Sequence, residues 1–185
     1  THSSNAIGCV VIIGFSGKKQ SGKNSLAKVL IAGTSLPCQE GLFAEPLKTF
    51  CVDILGLEPE QVWGSDEQKN SIVPHLLWEN VPAPVDWARS GPMTGREVMQ
   101  YYGTEIMRKH YGDVWAKSAI RRALQSECHQ NGGLYVFTDV RFPNEAAAIQ
   151  DAGGKVIRLT RQIAEDQHAS ETALGADRYD WEQFD

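Results

Sequence analysis

The sequence predicts an α/β fold, a parallel β-sheet flanked by helices, on three observations. The run Val10 to Phe15 is almost wholly apolar, as expected of a strand buried on both faces of a parallel sheet. A glycine-rich turn within GFSGKKQSGKNS, residues 14–25, follows it directly and opens a helical pattern. Near the other end, LYVFTD, EAAAIQDA and KVIRLTR alternate strand, helix and strand at crossover spacing, right-handed by default.

The elements between follow from local chemistry. A helix is predicted over Lys23 to Ala32, with Leu26, Val29 and Leu30 on one side and Gly33 as its stop. Leu42-Phe43 is expected to end a short second strand. Pro46 suits the first turn of a helix carrying Leu47, Phe50, Cys51, Ile54 and Leu55, closed by Gly56. Residues 57–93 are irregular, with five prolines and three tryptophans, and read as a long ordered excursion from the sheet. Thr94-Gly-Arg-Glu97 is a capping box, so a helix should start there and carry Val98, Tyr101, Tyr102 and Ile106. After Gly112-Asp113 a further helix is expected through Trp115, Ala119, Ile120, Ala123 and Leu124. Gly132-Gly133 turns the chain into LYVFTD; Asn144 is expected to cap the next helix, and Gly153 to stop it.

Composition narrows the class. A chain of 185 residues fits one domain, placed at residues 7–185, with THSSNA (1–6) as a flexible or vector-derived end. A net charge of −5 argues against a general nucleic-acid binder, so any basic site must be local. The four cysteines form no C-x-x-C pair, which disfavours a zinc site or disulfide framework and fits a reducing cytoplasm. The longest apolar run is too short to span a bilayer.

The glycine turn carries the most chemistry. Gly17, Gly22 and Lys23 fit the phosphate-loop pattern G-x-x-x-x-G-K-[ST], but Asn24 takes the hydroxyl position and Ser25 follows one residue late. Glycines let backbone N–H groups wrap a phosphate, and the next helix presents its positive end. Lys23 would then lie beside the β- and γ-phosphates. A turn that merely joins strand to helix is the plainer alternative. Asp139, at a neighbouring strand end, can hold Mg²⁺ through water or can simply cap a turn. Arg141, two residues on, suits bidentate phosphate binding. The loop, the Asp139/Arg141 pair and Arg161 should meet at the carboxyl edge of the sheet, where such folds bind ligands. On composition alone, Arg96, Gln100, Arg108 and Trp115 read as helix surface and core, and His168 as a polar loop residue.

In order along the chain, FSGKKQSGKNS, FAEPLK, GREVMQYYGTEIMRKHYGDVWA, FTDVRFPNEAAAIQDAGGKVIRLTR and HASETAL resemble the phage-type deoxynucleoside monophosphate kinases. These are P-loop enzymes of the adenylate-kinase-like class, with helices on both faces of the sheet. The likeness covers most of residues 10–174 and matches 57–93 only loosely. It implies transfer of the γ-phosphoryl of ATP, with Mg²⁺, to a deoxynucleoside 5′-monophosphate. Gly17 and the stretch Lys19, Gln20, Ser21, Gly22, Lys23, Asn24 and Ser25 would cradle the ATP phosphates. Ser25 stands where the class commonly carries its hydroxyl; Asn24 stands where related phage enzymes often carry Asp. Lys48, Gln100, Arg108 and Trp115 would bind the acceptor nucleotide, within a helical region at about 44–125. TDVRFPNE resembles the DGFPR segment of adenylate kinases, so Asp139, with Ser25, would face Mg²⁺ and Arg141 the acceptor phosphate. Arg161 would contact phosphate from a lid-like segment at about 161–175. The implied partners are small-molecule nucleotides, without nucleic acid or membrane; a homodimer is allowed, and the setting is cytoplasmic, the host's if phage-encoded. After HASETAL the family usually continues into another strand and helix, whereas this chain reads DRYDWEQFD.

Two other readings remain. Animal-type phosphomevalonate kinases share a similar loop, a PLK segment and a D-x-R strand end, although GTEIMRKHYGDVWA favours the nucleotide kinases. A nucleotide switch or ATPase without an acceptor is the other, and the N-K-x-D of GTPases is missing from the sequence.

Overall fold

The computed structural model describes residues 11–18, 21–82 and 88–160. Strand β1 (Val11–Gly17) leads through the glycine turn into α1 (Lys23–Ala32) and then the short β2 (Cys38–Gly41). Helices α2 (Glu45–Asp53), α3 (Pro59–Trp63) and α4 (Asp66–Lys69) follow. Next come β3 (Ile72–Leu77), one 3₁₀ turn at Trp78–Asn80, and β4 (Pro92–Thr94). Helix α5 (Gly95–Gln100) runs straight into a π-helical stretch, Tyr101–Arg108. The described chain closes with α6 (Val114–Gln125), α7 (Glu127–Gln130), β5 (Leu134–Val140), α8 (Pro143–Asp151) and β6 (Lys155–Leu159).

Two compact units result, one from Thr1–Phe43 with Ala116–Asp185 and one from Ala44–Trp115. The first holds a four-stranded sheet in the order β2-β5-β1-β6, every pairing parallel. The chain leaves β1 and crosses β5 to reach β2, whereas from β5 it crosses β1 to reach β6. Opposite directions with one handedness put α1 and α8 on opposite faces. The side chains of β5 sort accordingly. Leu134 and Val136 pack with Phe15 and Ala27 beneath α1. Tyr135 and Phe137 pack with Ala146 and Ile149 of α8 and with Ala116, Ala119 and Ala123 of α6. Both faces of the strand are covered over Leu134–Phe137, which explains that apolar run.

The second unit has its own core, in which Val62, Val73, Trp78, Met93, Val98 and Tyr101 are buried together. Its β3–β4 hairpin is antiparallel, and Pro92 opens an edge strand where a missing N–H does no harm. The Tyr101 ring meets Trp78 edge-on at 5.7 Å, and its hydroxyl donates to Pro82 O at 2.9 Å.

Several expectations need correction. β2 ends at Gly41, so Leu42-Phe43 lies just past the strand. Ile54 is 70% exposed and follows α2, and Leu124 is 38% exposed; neither joins a core. The capping box at Thr94 does start a helix, but from Tyr101 its hydrogen bonds widen to π spacing. Asn144 does not cap α8: Phe142 is the N-cap residue, Pro143 occupies the first turn, and Glu145 reaches back to the preceding backbone.

Candidate functional site

All four parallel strands end on one edge, and the two crossovers leave β1 and β5 in opposite directions. The crevice between their carboxyl ends is where such a sheet accepts ligands. Ser16 pairs with Val140, so the next residues, Gly17 and Arg141, stand at the same level on neighbouring strands. Gly17 also pairs with Leu159 of β6.

The turn after β1 is tight. Gly17 has φ 145°, and a Cβ there would sit 2.8 Å from both Leu159 O and Ser21 Oγ. Gly22, at φ 98°, turns the chain into α1 in a left-handed conformation that glycine adopts without strain. The Lys23 ammonium folds back over the turn, donating to Gly17 O at 2.5 Å and Lys18 O at 2.7 Å, and lies 3.5 Å from Ser21 Oγ. Helix α1 has no side-chain cap and no acid in its first turn, so its positive end is not offset from within the helix. Asn24 and Ser25 are exposed on that first turn. Lys19, Gln20 and Arg161 lie outside the described residues.

At the end of β5, Asp139 is half-buried and its Oδ1 accepts the Phe43 N–H at 2.9 Å. Phe43 is itself buried, its ring stacked on Phe137 at 4.4 Å. Asp139 thereby ties the end of β5 to the turn that follows β2. Arg141 is exposed, and its backbone N–H donates to Glu145 Oε2 at 2.8 Å. Phe142 N–H donates to the same oxygen at 3.1 Å.

The residues assigned to an acceptor lie in the second unit. Lys48 is half-buried on α2, Gln100 is exposed at the end of α5, and Arg108 is half-buried at the end of the π-helical stretch. Trp115 is buried, its Nε1–H donates to Gly103 O at 3.0 Å, and its ring lies 6.2 Å from that of Phe50. Its one polar atom is thus engaged within the protein.

No family model matches the chain. A protein of Acanthamoeba polyphaga mimivirus named "Putative deoxynucleotide monophosphate kinase" is 31% identical over 178 residues, an alignment covering 89% of this chain and 82% of the relative. The chain belongs to the deoxynucleotide monophosphate kinase family.

Among the described residues, no three His, Cys, Asp or Glu side chains group as a metal cage. Ser25 offers an exposed hydroxyl on the first turn of α1 and Asp139 a half-buried carboxylate near the end of β5, both hard oxygen donors of the type magnesium takes alongside water and phosphate. Sequence reading missed two groups at this edge of the sheet. Glu145 was hidden inside a helix assigned to an Asn144 cap, although Pro143 followed two residues later by Glu is itself a helix-start signal. Phe43 acts through its backbone N–H, which no residue type announces.

Proposed function

We propose that this chain moves the γ-phosphoryl of ATP to a (deoxy)nucleoside 5′-monophosphate, releasing ADP and the nucleoside diphosphate. One arrangement carries the reading: a glycine turn with Lys23 folded across it opens an uncapped helix, beside a strand that carries Asp139 near its end and is followed by Arg141. ATP phosphates would replace the carbonyl partners of Lys23 with anionic oxygens, which are stronger acceptors. Backbone N–H groups from Gly17 to Ser25, with Lys19, Gln20, Ser21, Gly22 and Asn24 between, would wrap the β- and γ-phosphates. An acceptor phosphate oxygen attacks phosphorus as the bond to the bridging oxygen of ADP breaks.

Little covalent help is needed from the protein. Lys23 and Arg141 spread the charge that builds on transfer, and Arg141 holds the acceptor phosphate by a planar fork. Bound magnesium would neutralise charge between the phosphates, with Ser25 and Asp139 as its protein ligands, direct or through water. Lys48, Gln100, Arg108 and Trp115 would hold base, sugar and phosphate of the acceptor, and Arg161 would close on the donor from a lid-like segment.

The test is ADP release measured across the deoxynucleoside monophosphates, with phosphomevalonate as a control acceptor. We expect release that depends on a nucleoside monophosphate. Release that needs no acceptor, or that only phosphomevalonate elicits, overturns the reading. Lys23→Ala is expected to abolish transfer while circular dichroism and the thermal midpoint stay near those of the parent. Turnover close to normal in that variant removes the assignment of the loop.

A further inference from the structure

Glu145 has the two features of a residue that builds a site without touching the substrate. It is buried, 4% exposed, on the first turn of α8. Burying that charge is costly unless strong donors meet it. One of its oxygens, Oε2, receives two backbone N–H groups, from Arg141 at 2.8 Å and Phe142 at 3.1 Å. Both belong to the turn between β5 and α8, the segment that presents Arg141 two residues beyond Asp139. Helix α8 adds its positive end to the same carboxylate.

We propose that Glu145 is a positioning residue for acceptor-phosphate binding: it clamps the backbone of Arg141, fixing where the guanidinium fork starts. The inference rests on the proposed phosphoryl transfer and names a further determinant of its acceptor side. An ordinary capping residue stabilises a helix and leaves catalysis alone. A clamp on the Arg141 backbone predicts a one-sided effect instead. Displacing a phosphate-holding group by about an ångström is enough to cost up to ~100-fold in rate.

The experiment compares Glu145→Ala, Glu145→Gln, Arg141→Ala and the double variant Glu145→Ala/Arg141→Ala by steady-state kinetics on both substrates. Glu145→Ala is expected to lower kcat/KM for the nucleoside monophosphate by about 10- to 100-fold, with the KM for ATP within about two-fold of the parent. Glu145→Gln, which keeps an oxygen acceptor at the same reach, is expected to recover most of that loss. In the Arg141→Ala background, removing Glu145 should add no more than about two-fold, because the clamp no longer has a guanidinium to place. Hydrogen exchange should show faster exchange at the Arg141 and Phe142 amides in Glu145→Ala, with the β1 amides unchanged. Equal damage to ATP and acceptor, full additivity with Arg141→Ala, or no rescue by glutamine overturns the proposal and leaves Glu145 a structural cap. If the parent protein phosphorylates no nucleoside monophosphate and binds none by calorimetry, the phosphoryl-transfer reading fails and takes this inference with it; active parent protein with a symmetric Glu145→Ala defect sinks the clamp alone.

Discussion

Lys23 directs its ammonium at the backbone of its own loop, donating to Gly17 O and Lys18 O. The residue beside it is the informative departure from the phosphate-loop pattern. Asn24 sits exposed in the first turn of α1, where no acid offsets the positive end of the helix. Asn24→Asp should therefore stabilise the folded chain by about 0.3–1 kcal/mol through the helix dipole. The same carboxylate would face the polyphosphate, so the two effects separate in the assay. We expect a higher thermal midpoint together with a raised KM for ATP at low magnesium that recovers as magnesium is increased. A KM that shifts equally at every magnesium concentration, or not at all, argues that position 24 does not face the phosphate–metal region.

At the scale of elements, what could be read from sequence depended on whether local chemistry and tertiary context agreed. Helix α1 lies over the span its pattern predicts because Gly22 and Gly33 bracket it, with the Gly33 N–H bonded to Val29 O at 2.9 Å. Strand β2 was misplaced because CQEG has no apolar alternation; parallel pairing with β5 makes it a strand. The π-helical register from Tyr101 also leaves no local signal. It coincides with Gly103, whose carbonyl accepts from Trp115 Nε1 and whose missing Cβ makes room for Leu47. Of the candidate site, the loop and the Asp139/Arg141 pair could be proposed from residue types, whereas the N–H donors of Phe43 and Arg141 could not. The Thr94 box illustrates agreement. Glu97 N–H donates to Thr94 Oγ1 at 3.2 Å, and Thr94 N–H donates back to Glu97 Oε2 at 2.8 Å. Thr94→Ala removes half of that exchange and is expected to cost about 1 kcal/mol in denaturant unfolding. An unchanged denaturation midpoint would show that Arg89, which also pairs with Glu97, holds the helix start by itself.

Across the whole molecule, each unit buries a thiol whose pKa is raised by loss of hydration. Cys51 is fully buried in the core of the second unit, and loss of hydration pushes its pKa from 9.0 up to about 12. In the first unit Cys128 is raised too, chiefly by burial, and its thiol donates to Pro37 O and Leu134 O. Tyr101 shifts upward for the same leading reason. An acid whose folded pKa exceeds its unfolded value keeps its proton in the native state after the unfolded chain has lost it. The unfolded state then binds fewer protons, and stability falls as pH rises. For Cys51 the window opens near 9.0, the ordinary thiol value, and closes near about 12. Within it the loss approaches about 1.4 kcal/mol per pH unit for one such group. Denaturant unfolding from pH 8 to 11 is therefore expected to show a steady loss of stability above pH 9. Cys51→Ala removes the thiol and opens a small cavity, so it should lower stability at pH 8 yet flatten the slope above pH 9. If the slope is the same with and without the thiol, Cys51 already titrates normally in the native state, and the core of the second unit is wetter than its buried side chains imply.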